Sequence, residues 1–383
     1  MSTKDYGFIT SSIINNNDGL VSRKVMAHKL PGQENFTISG NLTHWGKPQG
    51  CRYAPSSINT NSAGDFDALP VEMIHNIFRK LNFESLISMR LVASKIRSIV
   101  DSLQEYKAMV TYAPSIIHTL FMTATTAYST AERLYALLID EHCSACGDFG
   151  LFFFIPLGCR CCYSCLYNHP RFAVMTLAKA KTSLSIKERE FRERHPVLLT
   201  VPGSYDLDAR RPRHPRRAFG GRYCNQTLLV STDQASQLSN RTLHKPLRAV
   251  VEPKTHRLQI PSRSGIFMGE PPFRGMAAVA FSWLNQSTRV LEDGLSCQGC
   301  SFDFDEINNG LPHPPGVEFR ERFLAARKKT ERAFTEAGFY DHFEQCETAK
   351  RLWKMHCRNS EEKYENEKTC DRGDAGGLNV HKT

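Results

Sequence analysis

Six of the chain's 13 cysteines fall within the 23 residues from Cys143 to Cys165. Two pairs, Cys143-x2-Cys146 and Cys162-x2-Cys165, are separated by fifteen residues. That spacing lets two pairs of thiolates converge on one tetrahedral ion. Each pair makes a tight knuckle that aims two sulfurs at one point, and the spacer folds back to bring the pairs together. A set of buried free cysteines is the plain alternative, and the density and regular spacing argue against it. The run GCRCCYSC leaves the ligand choice open by one residue, because Cys159 or Cys161 can replace a member of the set. His142 is read as a neighbour rather than a ligand. Four sulfurs leave no open coordination position for a reactive water, so a zinc held there is structural.

Composition supports a reducing environment. The longest apolar run, residues 151–157, is far short of the ~20 residues a membrane-spanning helix needs. The N-terminal stretch has no apolar segment behind a basic start, so no secretory signal is expected. Thirteen cysteines, an odd number, then read as thiols or metal ligands in the nucleus or cytoplasm rather than as disulfides. Membrane protein and secreted disulfide scaffold are excluded on these grounds. With 383 residues, 41% of them hydrophobic, the chain has enough apolar content for a core and for two or three domains. The net charge of +10 permits an acidic partner without selecting one. Its densest patch is RRPRHPRRAFGGR at residues 210–222, which reads as a nuclear-import signal, a contact for nucleic acid or an acidic degron, or a solvated basic loop.

Along the chain, residues 1–65 lack periodicity and are expected to be a disordered leader. Pro70 marks a helix start and Glu72 suits the first turn. Ile74, Ile77, Phe78 and Leu81 then follow at helical spacing, until Asn82 breaks the face. A second short helix carries Leu86, Met89 and Val92, and a third Ile96, Ile99, Val100 and Leu103. Helical character continues to residue 141, broken at Pro114, with a capped helix opening near Ser129 or Thr130. Residues 171–193 also read as helical. Residues 196–290 are rich in Arg and Pro, with strand-like pieces in HPVLLTV, QTLLV, LRAVVEP and HRLQIP. Two helical segments are expected between 317 and 357, around a break at Ala337-Gly338, and then a disordered tail over 358–383. The expected fold class is mainly α, with small zinc-stabilised elements and short irregular β, multi-part and without a single regular sheet. Its parts are a three-helix domain at 66–110, a helical region at 111–195 containing the cysteine element (142–166), the irregular region, and a C-terminal element at 291–357.

The segment LPVEMIHNIFRKLNFESLISMRLVASKIRSIV resembles an F-box: Leu-Pro, an acidic residue two further on, aliphatics down one helix, a leucine opening the next, then a Leu/Val-Ser-basic stretch. Ile96 stands where that family often has Trp. The resemblance implies docking onto the Skp adaptor, and through it a cullin, by Leu69, Pro70, Glu72, Ile74, Ile77, Leu81, Leu86, Leu91 and Val92. Together with the Arg-Cys-Cys-x2-Cys-Leu element that follows, the chain is similar to a group of cysteine-rich F-box proteins abundant in filamentous fungi. The function implied is a non-catalytic substrate receptor of an SCF-type cullin–RING ubiquitin ligase acting on an unknown protein. The alternatives are a zinc-dependent nucleic-acid-binding regulator and an F-box assembly factor outside any ligase. No Gly-x4-Gly-Lys-Ser/Thr, His-Glu-x2-His or Gly-x-Ser-x-Gly suggests catalysis.

A second zinc site is expected from Cys297, Cys300, His342 and Cys346. Cys297-x2-Cys300 forms a knuckle whose Gly299 suits a tight turn. A helix opening near Tyr340 stacks His342 and Cys346 four positions apart on one face. The 41 intervening residues exceed the usual finger spacing, and a helix over 317–334 can return the chain to the knuckle.

Overall fold

The computed structural model describes residues 26–28, 37–42, 62–205, 222–243, 273–309 and 317–370. Three short helices open the ordered part: α1 (Val71–Phe78), α2 (Phe83–Val92) and α3 (Ser94–Ser102). Pro70 immediately precedes α1, and Glu72 lies in its first turn. Asn82 does more than interrupt an apolar face. Its side chain accepts a hydrogen bond from Ser85 N–H at 2.9 Å, so it caps α2. Ile74, Phe78, Phe83, Leu86, Ile96 and Val100 fill the space between the three helices.

Helices α4 (Gln104–Tyr112), α5 (Pro114–Met122) and α6 (Ala131–Ile139) follow. Pro114 starts α5, where a missing N–H costs nothing. Thr130 caps α6 by accepting from Arg133 N–H at 3.3 Å. The α1–α2 turn is tied to α6 through the backbone: Ala131 N–H donates to Leu81 O at 2.9 Å and Glu132 N–H to Arg79 O at 3.0 Å. The Glu132 carboxylate pairs with Lys80 and Arg79, which holds it below the ordinary carboxylate range, chiefly through Lys80. These helices and the cysteine-rich element share one apolar core.

Among the described residues every sheet is small and antiparallel. β2 (Phe152–Phe154) lies between β3 (Cys159–Cys161) and β9 (Ala278–Ala280), with α7 (Tyr163–Asn168) following β3. β8 (Leu228–Ser231) lies between β4 (Val174–Thr176) and β5 (Leu198–Leu199). Helices α8 (Leu177–Leu184), α9 (Glu188–Arg194) and α10 (Thr232–Leu243) accompany that sheet, with Leu177, Phe191 and Leu238 in a separate apolar cluster. The helix expected over 171–193 is therefore interrupted: residues 174–176 pair with β8, a long-range hydrogen-bonding opportunity that overrides local propensity. β6 (Gly203–Tyr205) and β7 (Arg222–Cys224) pair antiparallel. HPVLLTV and QTLLV supply β5 and β8. LRAVVEP, HRLQIP and most of the arginine-rich segment lie outside the described residues.

Two pieces of the expected leader are ordered. β1 (Ala27–His28) pairs with β12 (Ser296–Cys297), and Met26 is buried. One helical turn, Ser39–Leu42, packs beside β9, where Ile38 N–H donates to Ala278 O at 3.0 Å and Ala280 N–H to Ser39 Oγ at 2.9 Å. Both attachments are to residues more than 200 positions away, which no local pattern can announce.

β10 (Trp283–Leu284) and β11 (Leu291–Glu292) form a hairpin ahead of β12. The C-terminal element is α11 (Gln298–Asn309), α12 (Val317–Thr330), α13 (Glu336–Gln345) and α14 (Glu347–Cys370). The break falls at residues 331–335 rather than at Ala337-Gly338. Gly338 sits in the first turn of α13, where Thr335 Oγ1 accepts its N–H at 3.1 Å, so it costs the helix little. Residues 358–370 continue α14 instead of belonging to a disordered tail.

Candidate functional site

The hairpin β2–β3 builds the first centre. Phe152, Phe153 and Phe154 are fully buried and anchor the strand, so the knuckle before it and the turn after β3 are brought to the same end. Cys143, Cys146, Cys162 and Cys165 offer four sulfurs that all lie within 4.8 Å of one another, with Cys146 and Cys162 at 3.6 Å. A tetrahedron of Zn–S bonds has an edge of ~3.8 Å, so the donor set has the size such an ion requires. Backbone N–H groups also point at sulfur, as Cys165 N–H does toward Cys162 Sγ at 3.4 Å. A hydrogen bond from the Cys162 thiol, aided by the N–H groups of Ala145, Cys162 and Cys146, holds Cys143 down to about 4. The Cys162 thiol is pushed up by Cys143 in turn, and burial pushes Cys165 up to about 12. Four sulfurs this close compete for negative charge, and a divalent cation is the group that satisfies all of them together.

Cys159 and Cys161 lie in β3 and outside this group. Burial raises both thiols, which keeps them in the neutral form of small apolar side chains. His142 is also outside the group and contacts Asp140.

Between those two cysteines stands Arg160, a residue sequence reasoning missed. It is 1% exposed. Its guanidinium donates to Leu137 O at 2.6 Å, to Gly150 O, Phe281 O and Ser282 O at 2.7 Å each, and to Leu138 O at 3.5 Å. It also lies 4.1 Å over the Phe281 ring. Burial pushes it down to about 9, so it stays cationic at neutral pH. One side chain thereby pins the end of α6, the knuckle loop and the chain beyond β9 together. The several donors of a guanidinium fork suit five converging carbonyls as no other side chain does.

The second centre joins a knuckle to a helix. Cys297 ends β12, Cys300 lies in the first turn of α11, His342 is on α13 and Cys346 closes it. Their donor atoms again lie within 4.8 Å of one another, with Cys297–Cys346 at 3.9 Å and Cys300 Sγ–His342 Nε2 at 3.4 Å. The Cys297 and Cys346 sulfurs push His342 up to about 9, while Cys297 and Cys300 lower Cys346. Gly299 is needed for a reason other than its turn: a Cβ there would collide with the backbone of Ala349 on α14. Both groups can hold a metal ion, and both are closed sets suited to a structural one.

A third feature is apolar. Val71, Met73, Ile77, Leu91 and Val92 on α1 and α2 are 41–58% exposed, and Leu69 beside them 39%. Of the docking residues expected from sequence, Leu69, Pro70, Glu72, Ile77, Leu91 and Val92 are exposed. Leu81 is half-buried. Ile74 and Leu86 are buried at 4% and 0%, so they pack the helices against each other and leave the outer face to others. Val71 and Met73 belong to the same exposed face, although the sequence reading did not name them as docking residues.

Comparison with known proteins gives one family match. No curated protein and no solved structure matches the chain. Domains of the matching type in general bind the Skp adaptor of SCF-type ubiquitin ligases and are typically non-catalytic. Residues 66–108, which span α1 to α3 and the start of α4, match the F-box domain, and the chain therefore carries an F-box.

Proposed function

We propose that the chain is the substrate receptor of an SCF-type ubiquitin ligase, of the cysteine-rich kind seen among filamentous fungi, working in the nucleus or cytoplasm. The observation that carries this reading is the exposed apolar face on an F-box that otherwise packs well. Contiguous apolar side chains left in water on a soluble surface mark a partner site. Leu69, Val71, Met73, Ile77, Leu91 and Val92 would be covered by the adaptor, while Ile74 and Leu86 hold the helices in the shape it meets. Both four-donor groups would hold structural zinc, whose binding energy serves as folding energy. The chain itself does no chemistry in this reading. It raises the effective concentration of a bound protein's lysines near a ubiquitin-conjugating enzyme supplied by other subunits.

Reconstitution tests this directly. The full chain, mixed with purified Skp adaptor and cullin, should elute with them as one complex. Failure to bind the adaptor would remove the receptor reading. The nucleic-acid alternative rests mainly on residues 210–222, which lie largely outside the described residues. It predicts binding that falls steeply with salt, whereas an apolar helical contact responds little.

A further inference from the structure

A short series of contacts links the two four-donor groups. Asp148 lies two positions after Cys146. One oxygen of its carboxylate is 3.6 Å from the Cys146 sulfur, and the other is 3.0 Å from the Arg332 guanidinium. Arg332 belongs to the segment between α12 and α13, and its guanidinium lies 5.2 Å from the centre of the Phe334 ring. Phe334 in turn stacks on the His342 imidazole, with centroids 4.5 Å apart and planes at 19°. A path of carboxylate, guanidinium, phenyl ring and imidazole therefore runs from the first donor set to a member of the second.

A backbone joint runs beside it. Leu295 and Phe334 exchange both N–H···O bonds at 2.8 Å, two residues before Cys297. Gly294, at φ +76°, turns against the first element so closely that a Cβ would stand 2.7 Å from Leu151 and 2.8 Å from Phe149. Phe149 and Leu151 are the residues between the first knuckle and β2.

We propose that the two centres load metal as a coupled pair, with Arg332 the positioning residue that joins them. This inference rests on reading both groups as metal sites. Four thiolates around one divalent ion form a dianion, and Asp148 adds a further negative charge beside it. Forming the first centre therefore strengthens its hold on the Arg332 guanidinium. A held Arg332 fixes Phe334, which orients the His342 ring and, through Leu295, the strand entering the second knuckle. Each centre that forms thus removes ordering that the other would otherwise require, which is positive coupling and must be reciprocal. The Arg332 side chain is 55% exposed, so its ion pair supplies only part of the effect. The Gly294 joint, with no room even for a methyl group, supplies the rest.

Cobalt reports the two centres separately, because a four-sulfur and a three-sulfur, one-nitrogen set give different ligand-field bands. Full-length protein loaded with Co(II) is titrated with a chelator, and both bands should fade over one range. His342→Ala should weaken the first centre, and Cys146→Ser the second, by the same factor, on the order of tenfold. Arg332→Ala keeps all eight ligands and removes an exposed side chain. It should pull the two transitions apart by roughly two- to fivefold, the range an exposed ion pair carries. Two independent transitions that Arg332→Ala does not move would overturn the coupling and leave both sites standing. A chain that takes up no cobalt would overturn the metal reading beneath it. If either ligand variant does not fold, the Arg332→Ala titration alone decides.

Discussion

Residues 152–154 and residues 69–92 are both rich in apolar side chains, yet Phe152, Phe153 and Phe154 are fully buried while Val92 is 58% and Met73 51% exposed. β2 is a central strand with a partner on each edge, so both of its faces can be covered from within the chain. The F-box helices are two to three turns long and use one face to pack on each other. Their other face has no covering element among the described residues. A chain able to enclose three consecutive phenylalanines does not expose six apolar side chains for lack of core. The first region is completed by the chain itself; the second, in the function proposed above, is left for another protein to cover.

Several perturbations should separate the two regions. Metal removal has the largest expected effect, since apparent binding energies of structural zinc reach about 10 kcal/mol or more. Chelation should expose the amides of Phe152–Phe154 to hydrogen exchange before those of α1 to α3. Simultaneous loss of protection in both would show that the regions are one unit. Phe153→Ala should cost about 3–5 kcal/mol in denaturant unfolding, as truncation of a buried aromatic does. Arg160→Lys keeps the charge and loses the fork, leaving buried carbonyls without donors. A loss of about 2–3 kcal/mol is expected, from one or two unsatisfied groups.

The smallest effect is electrostatic. Glu132 is held below its ordinary value by Lys80, then Arg79. A depressed carboxylate stabilises the fold above its unfolded pKa, and that contribution is lost as pH falls through the folded value. Glu132→Gln should therefore lower the melting temperature slightly at neutral pH, where that contribution is present, and flatten its further fall as pH drops through and below the ordinary carboxylate range.

Much of this was legible in the sequence, and the failures share a cause. Both donor sets follow from local geometry: a Cys-x2-Cys knuckle and a His-x3-Cys helix face each bring two ligands together within one turn of chain. The three F-box helices were legible from apolar spacing. Arg160 was not, because its five carbonyl partners run from Leu137 to Ser282 and no window of sequence contains them. The attachments of Met26 and Ile38 failed for the same reason. Residues 358–370 failed differently: a highly charged stretch reads as unstructured, although charged residues with straight side chains are good helix formers. Ile74 and Leu86 show the limit of motif matching, which finds the residues of a docking module without saying which of them face outward.

The central claim is that the outer face of α1 and α2 is a binding surface rather than poorly buried core. The direct measurement is the affinity of purified Skp adaptor for the double variant Met73→Glu/Val92→Glu, read beside its thermal stability. Both residues are exposed, so stability should stay within about 0.5 kcal/mol of the unmodified chain for each substitution. Binding should weaken at least thirtyfold, the cost of losing about 2 kcal/mol at a central contact. Unchanged affinity in a protein of unchanged stability would contradict the account.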